Sequence, residues 1–124
     1  MKSFTDIEQS KKLAEILPPE SADMCYVNDG TSIKVDANSY TVCYSMWKDC
    51  VVEIIPCWSL AALYSILPNN EDTSITLYHD CRDGLDEWFC EHDSRYTKVF
   101  GVRAGNPVDA CVDMIITLKE RNLL

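Results

Sequence analysis

The chain has 124 residues, 47% hydrophobic and 25% charged, a profile that fits one folded globular domain, 1–124, and excludes a disordered chain. Its net charge of −9, with 11 bases against 20 acids, excludes nucleic acid as a direct partner and favours a basic protein. The longest uncharged run, Ile54 to Asn70, is interrupted by Pro56 and Pro68, so no membrane-spanning helix is expected.

Thr5-Asp-Ile-Glu8 reads as a capping box, and it opens a helix over residues 6–17 that Pro18-Pro19 stops. Ile7, Leu13, Ile16 and Leu17 are its expected buried positions. Residues 23–55 read as β-rich. Met24–Val27 is a short strand ended by Asn28-Asp-Gly30, and Ser32–Val35 is another. Tyr40–Trp47 is rich in β-formers, and Tyr40, Val42, Tyr44 and Met46 fall on one face of the strand it predicts. Val51–Ile55 is a further strand or the approach to the next helix.

That second helix is expected over residues 58–67, where Leu60, Leu63, Tyr64 and Leu67 follow the helical period. Three strands over about 73–80, 86–92 and 95–103 then read as an antiparallel meander. Asp83-Gly84 and Asp93-Ser94 mark its turns. Asn106-Pro107 opens the last helix, residues 107–121, as N-cap and first helical residue. Its apolar face is Val108, Cys111, Val112, Ile115 and Leu118. Without a βαβ alternation, the expected class is α+β: three helices on a mainly antiparallel sheet, with the meander over 73–103. Open sheet edges would also allow a homodimer.

Seven cysteines is a high and odd number, and MKSFTDIEQSKK contains no apolar leader. Reduced thiols, mostly packed as small hydrophobes, and a cytoplasmic location are therefore expected.

Both histidines sit two residues from a cysteine, as His79-x-Cys81 and Cys90-x-His92. These four side chains form a candidate zinc site only if the hairpin pairs 79 with 92 and 81 with 90. A tight Asp83-Gly84 turn instead pairs 79 with Trp88, 77 with Cys90 and 75 with His92. The four ligands would then be strung along about 20 Å of hairpin, at roughly 3.4 Å per residue. Asp-Gly favours the tight turn, so core packing is the expected role and no cofactor is expected. A zinc-binding module is the first alternative function.

A cysteine-dependent enzyme is the second. Cys57 before a helix would have a lowered pKa. His79, Asp80 and Cys81 supply base and nucleophile types, but neighbours on a strand point to opposite faces. Gly101–Asn106, with Arg103, leads from strand to helix as an anion-site candidate. The segment from Asn69 to Arg95 holds eight acids and two bases, net −6. Asp86, Glu87 and Glu91 are its candidate contacts to a basic partner.

Residues 4–24 (FTDIEQSKKLAEILPPESADM), 55–68 (IPCWSLAALYSILP) and 106–124 (NPVDACVDMIITLKERNLL) resemble a set of short proteins encoded in gut Bacteroidetes genomes, often in prophage-like or mobile-element regions. No activity or ligand comes with that resemblance. It implies a small phage-related accessory protein, and the expected role is a non-catalytic protein–protein interaction module with an unknown protein partner.

Overall fold

A computed structural model describes residues 1–124. The fold is α+β, with four α-helices and two antiparallel sheets of three strands each. The chain divides into two compact units: Phe4–Ala62, and Leu63–Leu124 together with Met1–Ser3.

The first unit holds α1 (Ile7–Ala14), β1 (Met24–Asn28), β2 (Ile33–Asp36), α2 (Tyr40–Trp47) and β3 (Glu53–Cys57). Its sheet has the order β2-β1-β3. Neighbouring strand residues face opposite sides, and Cys25 and Tyr26 show what each side meets. Cys25 is bonded to Cys43 of α2. Tyr26 packs with Ile55 and Cys57, against Phe4 and Ile7. One helix therefore covers each face.

The capping of α1 is shifted from the expected residue by one. Asp6, not Thr5, is the N-cap: it accepts from Gln9 N at 2.8 Å, while Gln9 Oε1 accepts from Asp6 N at 3.1 Å. Thr5 is fully buried because its hydroxyl is used inside. Its Oγ1 accepts from Trp58 N at 3.1 Å and lies 2.7 Å from Ser10 Oγ. Its carbonyl accepts from Tyr26 Oη at 2.6 Å.

Tyr40–Trp47 is a helix, which corrects the strand expected from its β-formers. Ser39 caps it, accepting from Val42 N at 3.3 Å. The positions that turn inward, Cys43 and Trp47, are four apart: Cys43 joins Cys25, and Trp47 Nε1 donates to Asp36 Oδ2 at 3.4 Å. Contacts made on the helical period outweighed the local β preference, which is context-dependent. The chain therefore has four helices where three were expected, and two separate sheets where one was expected. The Cys25–Cys43 bond also corrects the expectation that every thiol is reduced.

The second unit contains β4 (Thr73–Asp80), β5 (Glu87–Ser94), β6 (Phe100–Ala104) and α4 (Pro107–Glu120). Its sheet runs β4-β5-β6, the expected meander. Asn106 caps α4 by accepting from Asp109 N at 2.9 Å, and Pro107 takes the first helical position. Val108, Cys111, Val112, Ile115 and Leu118 are all buried, as their spacing predicts, and Ala110 and Met114 join them. Between the two units in sequence lies α3 (Leu60–Ile66), with Leu63 buried.

The β4–β5 connection follows its turn chemistry. Asp83 and Gly84 both have positive φ, 53° and 79°, and Leu85 N donates to Arg82 O at 2.9 Å. This is the backbone of a type I′ turn, which suits the right-handed twist of the flanking strands. His79 then pairs with Trp88, Leu77 with Cys90 and Ile75 with His92.

Candidate functional site

This register disperses the candidate zinc ligands His79, Cys81, Cys90 and His92. His79 stacks on Trp88 with ring centroids 4.8 Å apart, and its Nε2 donates to Asp86 Oδ1 at 2.7 Å. Cys81 lies beyond the last strand pair and is exposed. Cys90 and His92 are buried on the face that carries Ile75 and Leu77. No group of three or more His, Cys, Asp or Glu side chains is placed to hold a metal. His92 stacks on Phe100 at 4.7 Å, and its Nδ1 has no hydrogen-bond partner. Burial holds this imidazole below the ordinary histidine range.

Of the five free cysteines, Cys57, Cys90 and Cys111 are buried, and Cys50 and Cys81 are exposed. Cys57 ends β3, fully buried, instead of standing free at a helix N-terminus. Burial pushes its thiol up, against the opposing effect of the Thr5 and Ser10 hydroxyls. The lowered pKa belonged only to the cysteine-enzyme alternative, and Cys57 instead lies buried with its thiol raised. The neighbouring Cys111 thiol of α4 and burial together push the Cys90 thiol up. His79 and Cys81 serve no common centre.

The anion-site candidate is closed by its own residues. Asn106 occupies the amide of Asp109, and Lys2 Nζ donates to Asp109 Oδ1 at 2.8 Å. Arg103 points elsewhere, lying 4.0 Å over the Phe89 ring and donating to Glu87 Oε2 at 3.0 Å.

The acidic candidates fall in two places. Asp86 sits in the β4–β5 connection, bonded to His79. Glu87 and Glu91 lie on the β5 face opposite Cys90, on either side of Phe89. There Tyr78 and Phe89 stack with centroids 5.2 Å apart. Two of the three acids are thus hydrogen-bonded within the chain.

A different surface stands out in the first unit. The helical register of α2 leaves Val42, Tyr44 and Met46 exposed by 45%, 50% and 53%. Tyr44 stands between two grooves. One, of about 390 Å³, is lined by Glu20, Tyr40, Thr41 and Ser45. The other, of about 150 Å³, is lined by Lys48, Val51, Val52, Glu53 and Ile54. Sequence reasoning placed these side chains in a sheet and so missed the surface. Ser39 as an N-cap, with Cys43 and Trp47 four apart, is the signal that could have found it.

No helix is long and apolar enough to cross a membrane. No protein-family model, curated protein or solved structure matches the chain.

Proposed function

We propose that this protein is a non-catalytic protein–protein interaction module whose contact surface is built on α2. The observation that carries the reading is the exposure of Val42, Tyr44 and Met46 on one short helix. Full burial of a large apolar side chain is worth about 1.5–3 kcal/mol, and half-exposed residues leave roughly half of that unrealised. A partner that covers them recovers that free energy, and Tyr between grooves is a frequent anchor at interfaces. Glu20 and Glu53 line the two grooves, and the chain carries −9 overall. With Lys48 the only base lining either groove, a partner that is basic on balance and carries apolar groups suits this helix.

The sequence resemblance adds context. An accessory protein of a phage or mobile element works by binding a host or phage protein, and a module of this kind needs no cofactor. The acidic set Asp86, Glu87 and Glu91 is the less suited surface, because His79 and Arg103 already engage two of its members.

A photo-crosslinking residue placed at Tyr44, with a control at Lys119 on α4, tests the proposal in cells of the natural host. One dominant cross-linked protein at Tyr44, absent from the control and abolished by Met46→Asp, is expected. Equal labelling at both positions, or none at Tyr44, refutes it.

A further inference from the structure

The open edge of the first sheet is β2, the terminal strand in the order β2-β1-β3. Its backbone polarity can be read from the ladder. Asp29 N donates to Ser32 O at 3.2 Å, so the 29–32 pair is hydrogen-bonded. Bonded and non-bonded pairs alternate along an antiparallel ladder. Val27–Lys34 and Cys25–Asp36 are then the bonded pairs between β1 and β2, and Asn28–Ile33 and Tyr26–Val35 are not. Asn28 agrees with this parity: its carbonyl accepts from Val52 N at 2.9 Å, away from β2. The N–H and C=O groups of Ile33 and Val35 therefore point off the open edge.

The side chains on this strand divide by face. Lys34 and Asp36 share the side of Cys25, beneath α2. Ile33 and Val35 share the side of Tyr26, yet they are 44% and 41% exposed. No ion pair within the chain engages Lys34. A lysine on an edge strand ordinarily discourages pairing. Here an aspartate two positions on gives the strand both signs on one face.

We propose that β2 pairs antiparallel with β2 of a second copy, with Val35 opposite Val35 and Lys34 of each copy opposite Asp36 of the other. Backbone parity admits only registers that set outward-pointing residues against each other. Sliding the strands one way from the proposed register puts Lys34 against Lys34. Sliding them the other way puts Asp36 against Asp36. Only the register centred on Val35 makes opposite charges meet, and it does so twice by symmetry. Those charge pairs fall at non-hydrogen-bonded positions, where side chains are closest. The Asn38 backbone amide, bonded to Asp36, keeps that carboxylate ionised. The two three-stranded sheets become one, and the exposed Val35 side chains cover each other. This contact is separate from the α2 surface and does not depend on it.

Sedimentation equilibrium on the full chain tests the pairing. Wild type is expected to dimerise with rising concentration. Lys34→Asp and Asp36→Lys should each raise the dimer dissociation constant by about tenfold or more, because each makes like charges meet. Mixing the two variants should restore dimers, because each then supplies the charges that the other lacks. Far-ultraviolet circular dichroism checks that both variants remain folded. A monomeric wild type, two variants that dimerise as wild type does, or a mixture that stays monomeric would each overturn the proposal. Tyr44→Ala should leave the dimer intact, so failure of the α2 reading and failure of this one are distinguishable.

Discussion

His79 lies flat against Trp88, with an interplanar angle of 11° and ring centroids 4.8 Å apart. This pair is the signature of the β4–β5 register, since pairing His79 with His92 would have separated the two rings. It also makes the two histidines unequal. One side chain is 40% exposed and rests on an indole; the other is buried, with 2% of its surface exposed.

Alanine at the two histidines should therefore have different effects. His92→Ala removes a packed ring and should destabilise by about 2–4 kcal/mol. His79→Ala loses a surface stack and a hydrogen bond, worth about 1 kcal/mol. Urea midpoints measure both. Equal losses, together with a thermal midpoint that rises on adding zinc to wild type only, would restore the metal reading.

His92 should also make stability pH-dependent. Its folded-state pKa is lowered, by burial first and then by Arg121, with Asp93 opposing. The unfolded chain thus takes up the proton first as pH falls. The stability that depends on neutral His92 is fully present above about pH 6.5 and is lost progressively below it. His92→Leu should flatten the dependence between about pH 5 and 7. A wild type as steep as the variant over that window would remove His92 as the cause.

The bond between Cys25 and Cys43 closes a loop across 18 positions. Denaturing alkylation without reductant should label the five free cysteines, and all seven after reduction. Closing a loop of this size stabilises by about 3 kcal/mol. Cys43→Ser should lower the unfolding free energy by that order and loosen α2 first, which amide hydrogen exchange over residues 40–47 would resolve. Seven labels without reductant would show the thiols to be free.

Thr5 and Asp6 divide two tasks that the sequence assigned to Thr5 alone. Asp6→Ala should cost about 1 kcal/mol, the usual loss of a helix cap. Thr5→Val should cost more, about 2–4 kcal/mol, because it leaves the Trp58 amide and the Ser10 hydroxyl buried without their partner. The reverse ranking in urea unfolding would return the capping role to Thr5.

Several elements were legible because short-range chemistry decides them. Asn106-Pro107 could only open a helix, and the spacing from Val108 to Leu118 marked its buried face. Asp83-Gly84 could take positive φ at both positions, and that set the hairpin register. From that register followed the dispersal of His79, Cys81, Cys90 and His92. Other features required the tertiary structure. Tyr40–Trp47 carries a pattern that suits a strand as well as a helix, and the Cys25 and Asp36 contacts decided for the helix. Thr5 left its capping position because Trp58, far along the chain, offered a buried amide. The exposed sides of α2 and β2 were hidden in the sequence for the same reason. Composition records which residues are apolar, but which of them stay in water depends on neighbours brought together only by folding.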